Sequence, residues 1–176
     1  LVRSRGLGDV YKRQVSGVSG EPARLQVSFV DPAWDGKTVP VGQQCLRFGG
    51  ETPSTPRLMV RGIPPEANAI IMEYSDRSYA PMDDGGHGMI GYRIPEGTKE
   101  VVVPSVPGHS FDMPEGFFVV SPHRVPGWAT AGAYLPPCSG GRGNHYSVTV
   151  KAVHQPSAGS TDFTVLGQAS LELGTY

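Results

Sequence analysis

Pro136-Pro137-Cys138-Ser139-Gly140-Gly141-Arg142-Gly143-Asn144-His145-Tyr146 runs directly into Ser147-Val148-Thr149-Val150-Lys151-Ala152-Val153. The second half alternates in the manner of a strand, with Val148, Val150 and Ala152 on one face. The first half is a stiff corner followed by a pliant loop. Two prolines fix φ and donate no N–H, and three glycines in four residues admit backbone conformations closed to other residues. Successive N–H groups in such a loop can converge into a small anion-binding nest. The alternative is a long surface hairpin with no ligand.

Upstream, the same punctuation repeats. Leu25 to Val30 alternates, with Leu25, Val27 and Phe29 inward, and ends at Asp31-Pro32. A short extended piece is expected around Cys45, then a strand at Leu58-Met59-Val60. Ala69 to Tyr74 is a continuous apolar run of strand length, the pattern of a strand buried on both faces. Further strands are expected at 89–94, 100–103, 117–120 and 163–166, separated by Gly- and Pro-rich turns. Residues 122–135 have no firm period, and no long amphipathic helix is present. With 24 glycines and 17 prolines in 176 residues, this pattern predicts one all-β domain with few short helices.

Residues 1–14, ending Asp9-Val10-Tyr11-Lys12-Arg13-Gln14, have no apolar periodicity and read as translated adapter sequence, a non-native tail. Residues 15–24 read as a linker, and 25–176 as the domain. The net charge of -1 gives no footprint for nucleic acid. No apolar stretch reaches the length of a transmembrane segment. The histidines His87, His109, His123, His145 and His154 show no metal-ligand spacing, so no metal is expected. No nucleotide loop or nucleophile elbow is present, so neither cofactor nor enzyme is expected. Cys45 and Cys138 make no CxxC motif. They suit one long-range disulfide or two buried thiols, and composition does not choose. Asp83 and Asp84 read as a solvated turn.

Two stretches carry a resemblance. Asp76-Arg77-Ser78-Tyr79-Ala80-Pro81 is followed by His87 and a strand closing at Ile94-Pro95. Pro136-Pro137-Cys138-Ser139-Gly140 is followed by Asn144-His145-Tyr146 and then Lys151-Ala152-Val153. In order along the chain, these resemble the two ligand-site motifs of the phosphatidylethanolamine-binding proteins (PEBP), in their bacterial Raf-kinase-inhibitor-like branch. Cys45, Gly49-Gly50, Thr55-Pro56-Arg57-Leu58, Ile63-Pro64 and the strand Ile70 to Tyr74 match the family's upstream order. The likeness covers about residues 25–155. The first loop departs from it, with no Pro between two acids, one residue more before Pro81, and no Trp after His87. In the second loop, Asn144 stands at the family's His and His145 at its Arg; a shift of one residue would restore the His.

The resemblance implies an antiparallel β-sandwich with a small anion pocket for a phosphate or phospholipid head group. Its residues would be Asp76, Ala80, Pro81, His87, Pro136, Pro137, Cys138, Gly140, Asn144, His145 and Tyr146. Asp76 would orient or accept from the head group, and His87, made easier to protonate by a carboxylate, would donate to it. Tyr146 would add a phenol donor or else be a half-buried strand residue. The alternatives are a protein-partner module, such as a protease or kinase inhibitor, and a thiol enzyme using Cys138. Because the family places both cysteine segments near the pocket, a Cys45–Cys138 disulfide is expected. It would close about ninety residues and is valued at roughly 4–5 kcal/mol by chain entropy. That bond implies an exported protein, periplasmic or secreted; two free thiols in a cytoplasmic protein is the alternative.

Overall fold

The computed structural model describes residues 20–176; the expected tail at 1–14 lies outside them. Among the described residues, nine strands form two sheets. They are β1 (Ala23–Arg24), β2 (Gln26–Phe29), β3 (Leu58–Arg61), β4 (Ala69–Asp76), β5 (Gly88–Arg93), β6 (Glu100–Val103), β7 (Phe117–Ser121), β8 (His145–His154) and β9 (Thr164–Thr175). The larger sheet has the order β1-β9-β8-β4-β5-β7, and the smaller β2-β3-β6. Among the described residues, two 3-10 turns, Leu46–Phe48 and Ala80–Met82, are the helical elements.

The core lies between the sheets. Leu58, Val60 and Val103 of the smaller sheet share one buried cluster with Ile70, Met72, Ile90, Val148 and Val150 of the larger. The unbroken apolar run of β4 is explained by its second face. There Ala69 and Ile71 join Val153, with Phe118, Val120 and Val165 packed against them. A strand covered on both faces has no reason to alternate.

Four details differ from the sequence reading. The piece around Cys45 is a 3-10 turn, because Phe48 N–H returns to Cys45 O at 3.0 Å and Gly49 closes it at φ 83°. Ala23–Arg24, expected in the linker, pair with Gly167 and Gln168 of β9, and the buried Leu25 extends that edge through its N–H to Gln168 O. This pairing is parallel, so the larger sheet is not antiparallel throughout. The strand expected at 163–166 runs on to Thr175, shifting register beside Val153 and again near Tyr146.

Candidate functional site

Three neighbouring strands bring the site together. Asp76 ends β4 directly opposite Tyr146 near the start of β8. His87 precedes β5, and its N–H donates to Tyr74 O at 3.0 Å. Gly88 makes this turn at φ 122°, and a Cβ there would overlap the Ala133 carbonyl. The connection between β4 and β5 is clamped by Arg124, whose guanidinium donates to Pro81 O, Asp83 O and Asp84 O at 3.3, 2.8 and 2.7 Å. The opposite wall is the segment 135–138. Leu135 N–H donates to His87 O at 2.8 Å, and His87 Nδ1 meets Leu135 O at 2.7 Å.

Cys45 and Cys138 form a disulfide with a Cα–Cα distance of 5.2 Å, and Cys45 N–H donates to Pro137 O at 2.9 Å. The bond ties the 45–48 turn to the Pro-Pro corner. Arg47 and Phe48 are thereby held at the mouth of a cleft of about 580 Å³. The Arg47 guanidinium stacks on Trp128, 4.6 Å from its ring centroid. With Cys138 in the disulfide, no thiol is left there to act as a nucleophile.

Asp76, His87, Cys138, Asn144 and Tyr146 all line this cleft. Asp76 is buried. Its Oδ1 accepts from Ser78 N–H at 2.9 Å, and its Oδ2 from Asn144 Nδ2 at 2.7 Å. Asn144 rather than His145 therefore faces the carboxylate; His145 is exposed, its main chain paired to Ser78 Oγ and Arg77 N–H. Ala80 and Pro81 form the exposed 3-10 turn behind the lining. Pro136 and Pro137 are buried in the wall, and Gly140 lies outside it against the Phe48 ring. The cleft is also lined by Ser78, Tyr79, Ser139 and Arg142 from the two quoted loops, and by Arg47, Phe48, Met82, Val125, Trp128 and Leu135, to which the sequence reading gave no role.

Two chemical roles change. The Leu135 carbonyl only accepts, so His87 Nδ1 carries a proton and donates it there. Nε2 of the neutral ring is then an acceptor, with no hydrogen-bond partner among the described residues, on a side chain that lines the cleft. Burial, only partly offset by the Leu135 bond and Asp76, pushes His87 down to about 4. It is thus an acceptor where a donor was expected. The glycine-loop nest is filled by the chain itself. The N–H groups of Gly143 and Asn144 both donate to the Tyr176 main-chain oxygen at 2.9 Å, and Ser139 Oγ donates to the same atom. Tyr146 Oη accepts from Cys138 N–H at 3.2 Å. Burial, reinforced by Asp76, holds that phenol above its usual range despite bonds from Ser139 and Cys138.

Among the described residues, no cluster of His, Cys, Asp and Glu is placed to hold a metal ion, and no helix is long and apolar enough to cross a membrane.

No protein-family model matches the chain, and no curated protein does. Among solved structures, it is similar to Escherichia coli YbcL, described as a new member of the mammalian PEBP family. The identity is 17% and the TM-score 0.54, covering 88% of this chain and 98% of that one. At that identity the likeness establishes the architecture: the chain has a PEBP-like fold.

Proposed function

We propose that the cleft binds a small anion of the phosphate type and that the protein acts by binding, without catalysis. The supporting observation is the arrangement of Arg47 and Arg142 around the same cleft as Asp76, His87, Asn144 and Tyr146. Two guanidiniums bring positive charge and forked N–H donors, and Tyr146 brings a hydroxyl. Arg47 is pre-positioned by its stack on Trp128. The test is calorimetric titration with inorganic phosphate at low ionic strength. A charged hydrogen bond is worth about 1.5–3 kcal/mol, so Arg47→Ala should weaken binding by about tenfold or more. Absence of binding, or an affinity indifferent to both Arg47→Ala and Arg142→Ala, would sink the proposal.

A second reading, a protein-partner module, draws on Tyr79, Phe48 and Trp128, which are 54%, 38% and 45% exposed at the mouth. Loss of partner binding on Trp128→Ala, with phosphate affinity retained, would favour it. The disulfide supports export to an oxidising compartment, periplasmic or extracellular. Two free thiols in non-reduced peptide maps of protein from such a compartment would remove that placement.

A further inference from the structure

We propose that the cleft takes a phosphoryl group only in its singly protonated form, as inorganic phosphate or a phosphomonoester, and turns away sulfate and phosphodiesters. The proposal rests on reading the cleft as an anion site and concerns which anion fits. Its ground is the count of donors and acceptors. Each Asp76 oxygen uses one lone pair on Ser78 N–H or Asn144 Nδ2 and keeps another. His87 Nε2 is bare, because Nδ1–H is committed to Leu135 O. Two kinds of acceptor, a carboxylate and a neutral imidazole close enough to act on one another, therefore line the same cleft.

A bare oxyanion set against them would oppose lone pair to lone pair and, at Asp76, charge to charge. A phosphoryl group that brings its own P–O–H turns that repulsion into a hydrogen bond. Sulfate has no such proton at neutral pH, and a dialkyl phosphate has none to give. The lining carries two positive side chains, Arg47 and Arg142, and one negative, Asp76. That balance suits a monoanion better than a dianion.

The other titratable groups around the base do not supply the missing proton. Tyr146, from β8, is engaged with the wall, accepting from Cys138 N–H at 3.2 Å, and burial holds its phenol above the usual range. His123 lies close enough to His87 to act on its charge. Both its ring nitrogens are engaged, Nε2 donating to Thr130 O at 2.8 Å and Nδ1 accepting from Val125 N–H at 3.3 Å. Tyr74 and Tyr134 are buried, and burial pushes both phenols upward. His87 is held neutral by its burial.

The test is calorimetry on the intact protein with methyl phosphate, dimethyl phosphate and sulfate, from about pH 5 to about pH 8 at constant ionic strength. Methyl phosphate should bind, with an apparent affinity that falls about tenfold per pH unit above its own second pKa of about 6. Sulfate and dimethyl phosphate should be weaker by about tenfold or more across the range, as expected when a buried acceptor is left unpaired. Asp76→Asn places an amide donor in the base and should raise sulfate affinity while flattening the methyl phosphate slope. The wild-type comparison stands alone if that variant does not fold. Equal affinity for all three ligands would overturn the selectivity and leave the anion site standing. Sulfate and methyl phosphate strengthening in parallel on acidification would place the proton on His87 and also overturn it. Binding of none of them would remove the anion site and this inference together.

Discussion

His87 shows how one carbonyl sets the character of a side chain. Its folded pKa of about 4 lies below the ordinary value of 6.5, so the unfolded chain binds the extra proton first. Stability from this residue is therefore complete above pH 6.5 and is lost as pH falls from there towards 4. Denaturant titrations should show an acid limb in that window worth up to about 3 kcal/mol. His87→Gln should flatten it, and an unaltered limb would assign acid sensitivity to other groups. Asn144 holds a buried carboxylate by one bond. Asn144→Ala leaves that bond unmade and should cost about 1–3 kcal/mol, checked by the midpoint of urea unfolding. At this scale the neighbourhood was legible and one pair was ambiguous. Asn144 and His145 differ by one position, and in a strand one position exchanges the two faces. The pairing of Asp76 with Tyr146 decides the matter, and no local pattern contains it. Nor does the Asp76-His87 juxtaposition reveal that His87 Nδ1 is spent on Leu135, which lies 48 residues away.

Among the elements, those with regular alternation or a closed apolar run were legible: β2, β4, β5 and β8 each fall where hydrophobic periodicity puts them. The cleft rim was not. Arg47 and Trp128 lie in segments without a period, and they meet because the Cys45–Cys138 bond and the Pro137 carbonyl hold the 45–48 turn against the corner. A Cys45→Ser, Cys138→Ser double variant should lose about 2–5 kcal/mol of stability. It should also weaken phosphate binding, because Arg47 loses its anchor. Equal affinity in the two proteins would mean that the turn is held by packing alone. Gly88 is the other element-scale constraint. With φ at 122° and the Ala133 carbonyl where a Cβ would stand, Gly88→Ala should destabilise by more than about 1 kcal/mol. A thermal midpoint within error of wild type would contradict that steric reading.

At the scale of the whole molecule, the all-β class and sandwich layout follow from turn spacing and two-faced burial. Closure of the larger sheet does not. The parallel β1–β9 pair and the seating of Tyr176 under the glycine loop join parts of the chain that share no sequence signal. A chain shortened to residue 173 should melt lower and exchange the Gly143 and Asn144 amide hydrogens faster, since both lose their acceptor. Unchanged exchange would mean that the loop holds itself. Three sets of bonds therefore hold the segments that carry the cleft: the disulfide, the Arg124 clamp on the β4–β5 connection, and the Tyr176 oxygen that accepts from the glycine loop. The disulfide's covalent link bears on rate. A wall that need not assemble on encounter leaves diffusion and the local field of two guanidiniums to limit capture. Stopped-flow association should be a single phase, linear in ligand concentration and slowed by salt, whereas the reduced protein should show a plateau as wall closure becomes the slow step.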